Sequence, residues 1–238
     1  MTTIEGNLQQ VRERLRQACA LARRDANAVS LLAVSKTFDA DAVCLALAAG
    51  QHAFGENYVQ EGTEKMEAVR RLKPDAALQW HCIGPLQSNK TRPVAECFDW
   101  VQSVDRLKIA QRLSEQRPAA MPDLQICLQV NVDGGANKSG VAPASLEELA
   151  QAVSRLPRLK LRGLMCIPEP APDFEAQRAL FLRAKVLFDQ LNGQGLALDT
   201  LSMGMSDDLE AAVAAGSTMV RVGRGVFGSR PAKLTSVV

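Results

Sequence analysis

The stretch Leu31-Leu32-Ala33-Val34-Ser35-Lys36 is apolar until an amine appears at its tip. A short apolar run bounded by polar residues reads as a strand buried on both faces, as in a parallel sheet. Open α/β sheets and barrels place their ligands at the carboxyl ends of such strands. Lys36 is therefore aimed at a binding site. A partly desolvated lysine there has a lowered pKa, carries free amine and attacks carbonyls. The other reading is a strand-end lysine that snorkels to water.

A second group of residues lies near the carboxyl terminus. Val222-Gly223-Arg224-Gly225-Val226-Phe227-Gly228 contains a literal G-x-G-x-x-G after a strand pattern. A dinucleotide site requires an acidic residue about 20 positions later. Here ten residues follow Gly228 and none is acidic. The turn keeps a smaller capability: glycines let backbone approach a ligand, and the N–H groups of a following helix start favour an anion. Otherwise it is a tight turn that closes the fold. Just upstream, Leu201-Ser202-Met203-Gly204-Met205-Ser206-Asp207-Asp208 places two hydroxyls and a helix start beside that turn. Ser202 and Ser206 are neutral phosphate donors, and Ser206 also suits a helix N-cap. Arg221 and Arg224 each pair with an anion or stand solvated. An amine at one strand end, opposite a phosphate cradle at two others, specifies an aldehyde that carries a phosphate. Pyridoxal 5′-phosphate (PLP) is such a molecule.

The elements that must hold these groups alternate along the chain. Strand patterns fall at 31–35, 52–55, 79–83, 99–103, 124–132, 160–165, 199–202 and 218–222, and helical patterns at 39–49, 57–72, 90–97, 105–116, 145–154, 173–192 and 206–215. An amphipathic helix is expected before them, from about residue 4 to residue 26, within an amino-terminal segment 1–28. Gly50 and Gly216 follow alanine-rich helices and suit C-terminal caps. Eight strands with a helix in each interval predict an α/β fold, a single (β/α)8 TIM-type barrel over 31–228 with an extra N-terminal helix. A doubly wound open sheet is the alternative. No linker composition divides residues 1–238, so one domain is expected.

Composition narrows the classes. Lys+Arg 28 against Asp+Glu 26 gives a net charge of +2, which supplies no basic field for nucleic acid. The apolar runs are too short to span a membrane, and the amino terminus lacks a signal peptide's core. The six cysteines form no metal-type spacing and read as buried reduced thiols of a cytoplasmic protein. Two histidines are too few for a histidine-based metal site.

The motifs LLAVSKT, FGENYVQE, WHCIGPLQSNK, NVDGGANKSG, RGLMCIP, LSMGMSDD and MVRVGRGVFG occur in that order. With them the chain resembles the pyridoxal phosphate homeostasis protein family, single-domain relatives of the alanine racemase barrel, from about Leu31 to Gly228. The resemblance implies that Lys36 holds PLP covalently as a Schiff base and that Asn57 lies near the cofactor ring. It implies further that Ser202, Ser206, Gly223 and Arg224 fall at phosphate-binding positions, and that Arg221 faces the pyridine nitrogen. An arginine there leaves that nitrogen unprotonated and the ring a weaker electron sink. This chain has Arg224-Gly225 where family members often carry threonine and alanine, which removes a hydroxyl but keeps the backbone donors. Lys138, beside Asn137, is a loop lysine or a second amine for the aldehyde. His81 is a satisfied core histidine or a contact near the ring. Tyr58, the only tyrosine, begins a helix.

A racemase needs a base on each face of the substrate carbon. Alanine racemases take the second from an additional β-domain, for which this sequence leaves no room. No catalytic residue is assigned. The resemblance therefore implies a carrier or buffer of PLP that maintains vitamin B6 and amino-acid and keto-acid pools, acting as a monomer, with apo-enzymes as recipients. The alternative is a low-activity PLP enzyme such as a racemase or transaminase. A barrel that binds phosphorylated sugars, and is colourless, is a third class.

Overall fold

The computed structural model describes residues 3–134 and 139–229. Its centre is a closed barrel of eight parallel strands in sequence order: β1 (Ser30–Val34), β2 (Ala53–Glu56), β3 (Gln79–Cys82), β4 (Trp100–Val104), β5 (Leu124–Gln129), β6 (Leu159–Met165), β7 (Thr200–Ser202) and β8 (Met219–Val222). Closure is made by β1 against β8, with Leu32 opposite Arg221 and Ala33 opposite Val222. The helices are α1 (Ile4–Leu21), α2 (Ala40–Ala48), α3 (Val59–Leu72), α4 (Thr91–Cys97), α5 (Leu107–Gln116), α6 (Pro143–Ser154), α7 (Phe174–Gly193), α8 (Leu209–Ala214) and α9 (Arg224–Phe227). The predicted barrel and its extra amino-terminal helix are present; the open sheet is not.

Strand alternation divides the apolar residues into two layers. Ala33 and Phe54 join the large cluster shared with the helices. Their neighbours Leu32, Val34 and Ala53 pack instead with Ile83 and Met219 inside the barrel, and a smaller cluster of Trp100, Cys127 and Met165 lies on strands β4 to β6. Arg162 closes the opposite end: it pairs with Asp199 at 2.7 Å and lies 4.8 Å over the Trp100 ring. The register slips beside it, Ile126 pairing with Leu161 but Cys127 with Gly163. Only glycine fits at 163, where a Cβ would stand 1.6 Å from the Thr200 carbonyl oxygen.

Several boundaries differ from expectation, each for a local reason. The amino-terminal helix stops at Leu21 rather than near residue 26. Arg23 takes a left-handed φ of 55°, and the bonds Arg24 N–H to Cys19 O and Arg23 N–H to Ala20 O close a Schellman turn without a glycine. Strand β5 ends at Gln129 instead of 132; Val130 then bridges Val141. Helix α8 begins at Leu209, not Ser206, because the Asp208 carboxylate accepts the Met205 N–H at 2.5 Å and holds residues 205–208 as a turn. Gly50 and Gly216 do cap their helices, with φ of 78° and 101°. Of the cysteines, Cys97 is exposed and Cys44 half-buried, contrary to a uniformly buried set. Burial pushes Cys82, Cys127 and Cys166 up to about 12, which keeps these thiols protonated.

Candidate functional site

The carboxyl ends of the strands gather the residues singled out in the sequence. Val34 pairs with Gly55, and one step further the Ser35 N–H donates to Gly55 O at 3.0 Å. Lys36 and Asn57 therefore leave adjacent strands side by side. Both fall on the inward phase, since Leu32 and Val34 precede Lys36 at two-residue spacing and Gly55 precedes Asn57. Asn57 is held by close backbone contact: a Cβ on Gly84 would lie 2.0 Å from Asn57 O. The Asn57 Oδ1 is buried and has no hydrogen-bond partner among the described residues.

Across the barrel runs a buried chain of polar side chains. Arg221 is 4% exposed; its Nη1 donates to Ser202 O and Ser202 Oγ, both at 2.8 Å, and its Nη2 to Cys166 O at 2.9 Å. The Ser202 hydroxyl donates to Gln102 Oε1 at 2.7 Å, and Gln102 Nε2 lies 2.9 Å from His81 Nδ1. His81 stacks on Trp100 with ring centroids 5.0 Å apart. The arginine is thus fixed by carbonyl and hydroxyl oxygens; among the described residues no carboxylate forms a salt bridge with it. Burial lowers its pKa from the ordinary value, and an anion or a ring acceptor placed at the mouth would find a cation with little water around it.

Burial also holds His81 down at about 3, well under the ordinary imidazole range. If Gln102 Nε2 donates to Nδ1, the proton resides on Nε2, which is buried without a partner among the described residues. The unfolded chain takes up a proton near pH 6.5 that the folded one refuses. His81 therefore contributes stability that is present above the unfolded pKa and is lost as pH falls toward the folded one. Urea unfolding is expected to show a loss of about 2 kcal/mol between pH 7 and pH 5. His81→Gln should flatten that slope, and an unchanged slope would contradict the assignment.

The turn after β8 lies against the end of β1. A Cβ on Gly223 would lie 3.4 Å from Val34 O, and one on Gly225 would meet Val222 Cγ1 at 2.8 Å and stand 3.8 Å from Ser206 Oγ. The serine hydroxyl therefore overhangs the glycine turn. Ser206 Oγ makes no hydrogen bond among the described residues, whereas Ser202 Oγ is engaged with Gln102 and Arg221. Arg224 points outward and pairs with Asp207 at 2.9 Å, tying the two turns together at the surface. Two contacts bind this cradle to its surroundings. Phe227 stacks on Phe38, just after Lys36, with centroids 5.0 Å apart. From α1, Asn7 Nδ2 donates to Val226 O at 3.0 Å and Arg14 Nη1 to Ser206 O at 2.6 Å.

The mouth thus brings together Lys36, Asn57, Arg221, Gly223 and Ser206. Ser202 sits one layer deeper, and Arg224 stands at the rim. Asn137 and Lys138 lie outside the described residues. Gln102, Asn7 and Arg14 were not singled out in the sequence; a glutamine inside the otherwise apolar run 100–104 was the available signal for the first. Among the described residues no cluster of His, Cys, Asp or Glu is arranged to hold a metal ion, and no helix is long and apolar enough to cross a membrane.

This is the architecture of the alanine racemase N-terminal domain, whose family pattern matches residues 6–231. The chain belongs to the pyridoxal phosphate homeostasis protein family. It is 58% identical over 230 residues to the pyridoxal phosphate homeostasis protein of Pseudomonas aeruginosa, covering 97% of each chain. It is 50% identical to that of Escherichia coli K12, covering 97% of this chain and 98% of the relative. The solved structure of PipY from Synechococcus elongatus with PLP bound matches at a TM-score of 0.81 and 37% identity, over 95% of this chain and 100% of that one.

Proposed function

We propose that this protein binds PLP at the mouth of the barrel, with Lys36 as the covalent anchor, and carries and buffers the cofactor without turning over a substrate. The observation that carries the reading is the joining of two half-sites: an amine at the end of β1 and the Gly223–Ser206 cradle at the adjacent end of β8, packed together through Phe38 and Phe227. The residues fit the group. The glycine turn is too close-packed for a Cβ at 225, and among the described residues Asn57 Oδ1 and His81 Nε2 are buried without a partner and the buried Arg221 has no carboxylate in salt-bridge contact.

When bound, PLP supplies an aldehyde and an electron-withdrawing ring. Lys36 supplies the amine that condenses with that aldehyde and releases water. Gly223 and the backbone after it, with Ser206, would hold the phosphate. Arg221 would face the ring nitrogen. A guanidinium only donates hydrogen bonds and does not deprotonate in proteins, so it offers that nitrogen no proton-accepting carboxylate partner. Arg224 is placed to contact the phosphate from the rim once it exchanges Asp207 for it, a surface pair worth about 0–1 kcal/mol.

The carrier reading is supported by what surrounds Lys36. Tyr58 is 59% exposed on the rim, and burial makes His81 a weak base that resists taking up a proton, so neither is poised as a second base. Incubation of the loaded protein with a panel of amino acids in deuterium oxide is expected to give α-carbon exchange no faster than free PLP gives. Sustained exchange above that level would establish the low-activity enzyme instead. In this reading the protein works in the cytoplasm as a monomer, and apo-enzymes that need PLP are its recipients. Activation of such an apo-enzyme in the presence of a free-aldehyde trap would mark direct handover.

A further inference from the structure

Behind the barrel wall, between the carboxyl ends of β1 and β2 and helix α3, lies a buried ionic cluster that the cofactor reading does not use. Lys65 shares a face of α3 with the buried Gly62, Met66 and Val69, where an apolar residue belongs. Its side chain is 4% exposed, and its ammonium donates to Ser35 O at 2.7 Å, Glu56 Oε1 at 2.6 Å and Glu61 Oε1 at 3.0 Å. Glu56 Oε1 also accepts the Ser35 hydroxyl at 2.6 Å, and Glu61 Oε1 accepts the Thr37 N–H at 2.5 Å.

Ser35 O belongs to the peptide plane that enters Lys36, and the Thr37 N–H belongs to the plane that leaves it. Because peptide planes are rigid, fastening both fixes the φ and ψ of Lys36 and hence the direction of its side chain. Thr37 adds an independent sign. It holds φ at 69°, a left-handed conformation that is an outlier for a β-branched residue and persists only where neighbours over-determine it. Stability alone is a poor reason for such a cluster, since apolar residues of similar volume commonly replace buried ion pairs without loss.

We propose that Lys65, with Glu56 and Glu61, is a positioning group for Lys36 that presents the amine at the mouth before the aldehyde arrives. The proposal rests on the reading of Lys36 as the aldehyde-binding amine. Such preorganisation raises affinity by removing an ordering cost from binding. It acts through backbone, not by touching the ligand.

The test uses Glu61→Gln, which keeps shape at a half-exposed position, and Lys65→Met. In the full-length protein without PLP, hydrogen exchange at the Thr37 amide is followed by NMR, alongside the urea midpoint. PLP affinity is then measured by spectral titration. Glu61→Gln is expected to keep a single cooperative urea transition with a small fall in its midpoint, to speed Thr37 exchange about tenfold and to weaken PLP about tenfold, as loss of a charge-assisted hydrogen bond implies. Lys65→Met, where it folds, should weaken PLP further. Wild-type exchange and affinity in Glu61→Gln would overturn the proposal. Failure of the wild-type protein to take up PLP would overturn the functional reading instead, while Thr37 exchange would still decide whether the cluster fastens that loop.

Discussion

Lys36→Ala is expected to abolish covalent capture of PLP and to weaken its binding by about 100-fold, equivalent to about 2.7 kcal/mol. Lys36 is half-buried in the loop that follows β1, so its truncation opens no cavity in the core. The stability change should stay within about 0.5 kcal/mol, as for other substitutions away from packed positions. The Gly223–Ser206 cradle proposed for the phosphate and Arg221 are untouched, and residual non-covalent binding should persist. Equilibrium dialysis gives the affinity, and the visible absorption of the protein-bound cofactor reports the covalent link. Affinity within tenfold of wild type would contradict the assignment of the anchor. A persistent visible band would transfer the role to another amine.

Gly84→Ala is expected to be the most damaging small change near the site. The added Cβ would lie 2.0 Å from Asn57 O, 2.7 Å from Asn57 C and 2.8 Å from Asn57 Cα. All three are backbone atoms, so no side-chain rotation relieves the clash. The loss should be about 3 kcal/mol, or roughly 6–12 °C in Tm for a chain of this size. Because the displaced group is Asn57, PLP affinity per folded molecule should also fall, by about tenfold. Gly163→Ala serves as the control. Its Cβ would meet Thr200 O at 1.6 Å, on strands below the mouth, so stability should fall comparably while the affinity of the folded fraction is kept. Calorimetry with titration on both variants separates fold loss from site loss. Equal affinities for the two would remove Gly84 from the account of the site.

The barrel was legible because its strands are buried on both faces, which makes each a short apolar run, and because turns and amphipathic helices separate them. Lys36 was legible for the same reason, as the amine at the tip of the first such run. Closure was not, since β1 and β8 lie far apart in sequence and meet only in space. The chain Arg221–Ser202–Gln102–His81 draws one residue from each of four strands, and no local spacing relates them. The hydroxyls of Ser202 and Ser206 looked alike in sequence; burial commits the first to Gln102 and leaves the second over the glycine turn. Arg224 read as a possible anion partner, and its nearest neighbour proved to be Asp207, two residues before α8. Lys65 resembled any solvated helix lysine. Its place in the stripe of Gly62, Met66 and Val69 was the available sign that it lies inside. The amino-terminal helix read as an addition to the barrel, yet Asn7 and Arg14 make it a support for the cradle.

The central claim is that one particular amine holds the cofactor. Its most direct test is to load the wild-type protein with PLP, reduce it with borohydride, digest it and map the labelled peptide by mass spectrometry. The account predicts stoichiometric label on the peptide that contains Lys36. Label confined to any other lysine, or none on the protein at all, would contradict it.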